Sequence, residues 1–314
     1  MDNLIDIPEL NPVIFYKVNR ANLPQYYTKH FEDWMFHERI NFWQTRTDYV
    51  QVWQTTDIVY LQFESQFDPI VVKLMNKYGQ VIITQISLVK LPNKLRPGWF
   101  SYEIGMSLAG VPTGCYYFQL EAGAGAELIM ISDKQFISST QIPNTMRFEY
   151  WHTRFFKDVM FETGIQFQIR VLGSFGFMGK DINNTFYRDE RWNPAILNSK
   201  GAKQWPITLG GTFGIPDDIF NIISEAFTCQ NVLVDGKPMC ISEGAKFEFF
   251  PVDRYPKRGV TFLVENGINR NSRRYAIAAD TTKKIVAVAC VDAKAWGDTS
   301  NQGSTNSVPV ITEE

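Results

Sequence analysis

Tyr49-Val-Gln-Val-Trp-Gln-Thr-Thr-Asp-Ile-Val-Tyr-Leu-Gln-Phe63 decides the fold class of this chain. Two runs rich in β-branched and aromatic residues flank a short polar break, which is the pattern of two strands and a turn. The form recurs on both sides of it. Val71 to Met75 and Val81 to Val89 surround Lys77-Tyr78-Gly79-Gln80, a hairpin turn whose glycine tolerates positive φ. Phe100 to Met106 follows, and Pro112-Thr-Gly114 introduces Cys115-Tyr-Tyr-Phe-Gln-Leu120, where alternation is partly lost, as in a strand buried on two sides. Gly123-Ala-Gly125-Ala reads as a turn between strands. Leu128 to Ser132, Thr145 to Tyr150 and Ile165 to Val171 complete nine or ten short strands, so Met1 to Leu172 is expected to form an antiparallel β-sandwich, jelly-roll-like.

Gly173 to Trp205 changes character. It carries Gly173, Gly176 and Gly179, then Asp181-Ile-Asn-Asn-Thr-Phe-Tyr-Arg-Asp-Glu-Arg191, with little periodicity, and is read as an irregular linker or extended arm. Residues 206–296 are expected to form a smaller α+β domain. There Ile215-Pro216-Asp217-Asp218 begins a helix whose carboxylates accept from free backbone N–H groups, and Ile219, Phe220, Ile222, Ile223 and Phe227 recur at helical spacing to about Thr228. Val232-Leu-Val-Asp235-Gly236-Lys-Pro-Met-Cys-Ile241 is a hairpin signal. Phe247 to Pro251, Gly259 to Val264, Arg274 to Ala279 and Ile285 to Val291 are further predicted strands. Residues 297–314 are polar and low in complexity, and read as a flexible tail.

Composition agrees with this mainly β reading. The chain has 314 residues, enough for about two domains, and 45% are hydrophobic, enough for packed cores. Aromatic residues reach 14%, with 24 Phe, 13 Tyr and 8 Trp, which suits pleated cores, protein contacts and sugar contacts alike. Net charge is −2, from 31 basic and 33 acidic residues well mixed, so no field for neutralising phosphates is built and nucleic acid is not an expected partner. No run approaches the ~18 apolar residues that span a bilayer. The N-terminus lacks a positive n-region and an apolar h-region, so it is not read as a secretory signal.

The sequence carries no recognisable catalytic motif. Gly173-Ser-Phe-Gly176 is not a nucleophile elbow, and Gly179-Lys180 is followed by Asp181 and preceded by Ser174 where a phosphate loop needs Ser/Thr and Gly. Cys115, Cys229, Cys240 and Cys290 show no CxxC spacing, so zinc is not indicated. Cys229 and Cys240 flank a predicted helix–strand junction, and spacing alone leaves their pairing open. His30 and His37, seven residues apart, could lie on one helical face with Glu32, Asp33 and Glu38 completing a metal site, but no metal motif supports them. The sequon at Asn183 carries little weight without a leader. Glu103, Glu121, Glu149 and Glu162 lie on or beside predicted strands, as the acids of a glycoside hydrolase do. Trp99, Trp151 and Trp192 are candidate sugar-stacking rings. No catalytic, cofactor-binding or metal residue is assigned, and the chain is expected not to be an enzyme.

A resemblance adds to this reading. Pro112-Thr-Gly-Cys-Tyr-Tyr-Phe-Gln-Leu-Glu121, Leu128-Ile-Met-Ile-Ser-Asp-Lys-Gln-Phe136, Asn144-Thr-Met-Arg-Phe-Glu-Tyr150 and Phe161-Glu-Thr-Gly-Ile-Gln-Phe-Gln-Ile-Arg-Val171 resemble the sandwich domain of tail-associated proteins in phages and prophages of Bacteroides-like bacteria. Gly214-Ile-Pro-Asp-Asp-Ile-Phe220, with its helix and Val-Asp-Gly hairpin, resembles their second module. The resemblance covers roughly residues 50 to 295 and carries no catalytic residues over. It implies a virion structural protein of the distal tail, baseplate or fibre-adaptor kind, made in the host cytoplasm and assembled into the particle. Implied partners are copies of itself, in a ring-like homo-oligomer, and other virion proteins, with host-surface glycans met only indirectly. The arm at Gly173 to Trp205 and the segment Asp2 to Arg20 are the expected subunit contacts. A carbohydrate-binding sandwich and a glycoside hydrolase are the alternatives.

Overall fold

The structure is a computed structural model that describes residues 5–18, 49–87, 89–93, 96–211, 214–251 and 258–267. All of them belong to one compact unit, Met1–Arg274. The predicted strands Arg274–Ala279 and Ile285–Val291, the polar tail and the histidines His30 and His37 lie outside the described residues. The protein is mainly β with one short α-helix.

The first eleven strands build a sandwich. β1 (Ile5–Asp6), β4 (Ile58–Ser65), β8 (Phe100–Ser107) and β7 (Val89–Pro92) form a four-stranded sheet in the order β1-β4-β8-β7. The facing sheet has seven strands. β9 (Gly114–Ala122) pairs with β5 (Ile70–Asn76), which pairs with β6 (Val81–Ile86). β9 also pairs with β10 (Leu128–Ser132) and β11 (Gln135–Ser138), which in turn pair with β2 (Phe15–Val18) and β3 (Gln51–Gln54). Val59, Leu61 and Phe63 alternate inward from one sheet, Val72, Leu74, Phe118 and Leu120 from the other, and Trp53 closes the layer between them. Strand alternation therefore became burial on one face, as a half-buried sheet requires.

β3 and β4, the pair quoted first, are successive strands but not a hairpin. β3 lies parallel to β11, whereas β4 lies antiparallel to β8, so residues 55–57 carry the chain from one sheet to the other. The expected hairpin at Lys77–Gln80 is present, with Gly79 at φ 76°. The segment Asp2 to Arg20, expected to reach a neighbour, is built into this sandwich where described. Asp6 pairs with Glu64, Phe15 with Ser132, and Val13 is buried. Its apolar residues cover the chain's own core.

The second half is a barrel. β12 (Thr145–Trp151), β13 (Phe167–Phe175), β15 (Pro194–Leu209), β19 (Arg258–Asn266), β17 (Lys237–Ile241) and β16 (Asn231–Val234) each pair with the next, and β16 pairs back onto β12. Six strands thus close on themselves and leave no edge within the ring. β14 (Gly179–Arg188) and β18 (Glu248–Pro251) lie outside it, paired to β15 and β19. α1 (Asp217–Ala226) packs Ile219, Ile222, Ile223 and Ala226 into the barrel core with Phe148, Phe262 and Leu209. These positions recur at i, i+3, i+4 and i+7, one stripe of a helix. Asp217 and Asp218 occupy the first turn at the positive end of the dipole, but neither caps it, because Pro216 is the N-cap residue. Asp217 instead meets Arg258 at 3.3 Å. Asp235-Gly236 makes the expected hairpin turn, with φ 49° and 76°, the two positive values of a type I′ turn. Gly210, at φ 90°, turns β15 toward α1 where a Cβ would sit 2.7 Å from the Gly214 Cα.

The structure departs from the sequence-based expectation in two places. Gly173 to Trp205 is not irregular: it holds the end of β13, all of β14 and most of β15, paired as a long hairpin. Nor does strand pairing divide the chain at residues 172 and 206. β12 and β13, read as part of the sandwich, join the barrel, because a sheet closes only by pairing and these strands supply two of its six. The two halves meet over polar contacts. Arg170 on β13 forms a bidentate pair with Asp57 at 2.8 Å and 2.8 Å, Gln168 Oε1 accepts from the Ile58 N–H at 3.2 Å, and Tyr150 donates to the Leu10 carbonyl at 2.6 Å.

Candidate functional site

The predicted carboxylates are dispersed. Glu103 lies on β8, Glu121 on β9 and Glu149 on β12, in three different sheets, while Glu162 is exposed in a short 3₁₀ turn, Phe161–Thr163. Glu121 is tied to Lys73 at 2.6 Å and Glu149 to Arg147 at 2.8 Å. Glu103 is buried and accepts from Gln62 Nε2 at 2.8 Å and from the Thr163 hydroxyl, beneath the 160–163 segment. Glu103 and Glu149 are each 5% exposed. Trp151 is buried in the barrel core, Trp99 is half-buried beside Arg96, and Trp192 stands exposed on the β14–β15 turn, so the three rings share no platform. Among the described residues no group of three or more His, Cys, Asp or Glu could hold a metal ion.

Burial holds the Glu103 carboxyl above its ordinary value of 4.5, opposed by its two hydrogen-bond donors, Thr163 and Gln62. The native state therefore keeps this proton to a higher pH than the unfolded chain. The stabilisation is complete below pH 4.5 and is lost as pH rises through the raised value. Glu103→Gln, which keeps an acceptor for both donors, is expected to flatten the decline of Tm with pH above that point. A Tm profile from pH 4 to 8, compared with the unmodified protein, checks it; an unchanged slope would refute the assignment.

Cys229 and Cys240 are free thiols. Both line an open groove of about 370 Å³ between the turn after α1 and the β16–β17 hairpin, with Val232, Pro238 and Met239. Burial pushes the Cys229 thiol up to about 12, away from the thiolate form that nucleophilic chemistry needs. The groove brings no acid–base pair together.

The most unusual surface is the hairpin itself. β14 pairs with β15 over ten residues, Gly179↔Gln204 to Arg188↔Pro194, a ribbon ~33 Å long. Only the base of β15, Gln204 to Leu209, has a second neighbour, β19. Beyond that point the ribbon has no other paired strand among the described residues. Leu209, Ile207 and Trp205 face the barrel core, and the same face continues through Lys203 and its opposite, Lys180, to Ile182, Phe186 and Ile196. The core-facing stripe runs out past the core. Ile182, Phe186, Tyr187, Ile196 and Leu197 are all more than half exposed, and Phe177 at the ribbon's base is 98% exposed. A two-stranded ribbon alone is marginal in water, and these side chains leave apolar surface open along it.

The tip is ordered by its own chemistry. Asp189 accepts from the Arg191 and Asn193 backbone N–H groups at 2.9 Å and 2.8 Å, and from Asn193 Nδ2 at 2.9 Å. These bonds favour the carboxylate and hold its pKa below the ordinary value. Trp192, at φ 64°, is left pointing outward at 74% exposure, with the Arg188 guanidinium 5.7 Å from its ring. Trp and Arg on a preformed turn are the side chains from which binding hot spots are made, and fixing them beforehand lowers the entropic cost of contact.

No protein-family model, curated protein or solved structure matches this chain. Fold and surface alone define it as a sandwich-and-barrel β protein with a projecting apolar ribbon.

Proposed function

We propose that this protein is a non-enzymatic structural subunit that works by subunit–subunit contact, of the phage-tail kind: distal tail, baseplate or fibre adaptor. The single observation that carries the contact mode is the β14–β15 ribbon, whose core-facing apolar stripe continues beyond the barrel with nothing of its own chain over it among the described residues. Hydrophobic burial is the dominant driving force of association, and each half-exposed Ile, Leu or Phe on the ribbon gains roughly half of the ~1.5–3 kcal/mol of full burial when covered. Placement in a phage particle is supported by the sequence likeness given above. A virion subunit that clasps its neighbours needs such an element, and it needs no catalytic constellation.

Excision of residues 180–203, replaced by a two-residue Asn-Gly turn, removes the ribbon and leaves the β13–β15–β19 pairings of the barrel in place. Sedimentation velocity over a range of concentrations tests the reading. The full chain is expected to sediment as a species several times heavier than its 36.2 kDa, and the excised variant as a monomer with Tm within a few degrees of the parent. Equal masses for the two would overturn the ribbon's role, and a full chain that stays monomeric at high concentration would overturn self-assembly.

A further inference from the structure

We infer that the ribbon docks on the outer face of the β18–β19 strands in a second copy of this chain, a head-to-tail contact; this rests on the subunit reading above and names the surface that the ribbon meets.

The charge pattern of the ribbon motivates it. Lys180 and Lys203 lie directly opposite each other on the core-side face, and Arg188 shares that face at the far end of the stripe. Like charges directly across a strand pair repel, and neither lysine has an acidic partner among the described residues. The face is thus an apolar stripe of Ile182, Phe186 and Ile196 flanked by cations.

The same sheet carries the complement. On β19, Thr261, Leu263 and Glu265 point away from the barrel core, since Val260, Phe262 and Val264 point into it. Glu248 on the edge strand β18 stands opposite Thr261 and shares that outer face. Leu263 is 38% exposed, Glu248 is exposed, and neither glutamate has an ion-pair partner among the described residues. An exposed apolar residue between two unpaired carboxylates matches a stripe bounded by unpaired lysines.

Topology makes the contact intermolecular. Gln204↔Glu265 and Pro206↔Leu263 put the acidic strip on the side of β15 that carries residues 204 and 206, whereas Lys203 and Trp205 face the other way. The two surfaces occupy opposite faces of one continuous sheet, so one copy cannot bring its ribbon onto its own acidic strip. A different patch on each partner is a heterologous contact, which closes into a ring or propagates as a filament. One face of a ribbon of this length and ~10 Å width offers about 300 Å², less than half of the ~800 Å² per partner of a standard interface, so the ribbon is one part of the contact and each neighbour adds further surface.

Charge reversal with mixing tests it on the full-length protein. Lys180→Glu with Lys203→Glu gives one variant, and Glu248→Lys with Glu265→Lys gives the other. Each alone is expected to associate at least about tenfold more weakly than the parent, by sedimentation velocity. An equimolar mixture is expected to regain the parent's mass, because each reversed surface then meets a complementary one. Should Glu265→Lys fail to fold, Glu248→Lys alone, on the exposed edge strand, replaces it. A mixture that stays dissociated, or variants that assemble like the parent, overturns the contact. If ribbon excision abolishes assembly while the charge variants do not, only this inference falls; a parent that never assembles removes the subunit reading as well.

Discussion

Asp57→Ala is expected to cost the fold about 3–5 kcal/mol, one of the two largest single-site effects in this molecule. Asp57 is 1% exposed, and both its oxygens lie 2.8 Å from the Arg170 guanidinium across the junction of sandwich and barrel. It also accepts from the Gln54 N–H at 2.8 Å, which fixes the turn by which the chain crosses between sheets. Removing it leaves a guanidinium that is 7% exposed with, among the described residues, only Thr145 Oγ1 at 3.4 Å. The cost is chiefly that of an unpaired buried charge. Replacing both partners, Asp57→Ala with Arg170→Met, is therefore expected to recover a large part of the loss. Urea unfolding of the two single variants and the double variant measures this as a coupling energy; additive losses would show that the pair does not act as a unit.

Trp53→Ala is expected to cost a similar amount, about 3–5 kcal/mol, by a different route. The ring is fully buried between the two sheets of the sandwich, and its Nε1 donates to Gln135 Oε1 at 2.7 Å. Truncation opens a cavity that the paired strands cannot collapse, and it leaves the Oε1 of Gln135, a residue 2% exposed, without its donor. Trp53→Phe keeps most of the volume and loses the donor, so it separates the terms: about 1–3 kcal/mol is expected for the orphaned acceptor. Chemical denaturation of both variants checks the order. A Phe variant as unstable as the Ala variant would show that the hydrogen bond, not the packing, dominates the site.

The buried half of the fold was legible because burial writes itself into sequence. Val59, Leu61 and Phe63 alternate since one face of β4 meets a core, and Ile219, Ile222, Ile223 and Ala226 keep helical spacing since one face of α1 does. Asp235-Gly236 was legible because few other residue pairs accept two positive φ values. The ribbon was not. On β14 the core-side face carries only Ile182 and Phe186 as apolar residues, with Asn184 between them, so the alternation is too sparse to read, and Asn183-Asn184-Thr185 at its centre looks like loop. Its strand state comes from ten residue pairs with β15, a long-range fact that local periodicity does not contain. The one local clue was the tip, where Asp189 followed by Asn193-Pro194 has the makings of an Asx-type turn. Barrel closure was hidden for the same reason: β12 and β13 have the pattern of sandwich strands, and only their partners assign them to the barrel.

Hydrogen exchange of the backbone amides of residues 180–203, followed in concentrated and in dilute protein, tests the central claim most directly. Covered by a neighbour, these amides are expected to exchange at least about tenfold more slowly in the concentrated sample, while the barrel strands β12 and β16 exchange equally in both. Identical exchange across the ribbon, in a sample whose mass proves it assembled, would mean that the subunits join somewhere else.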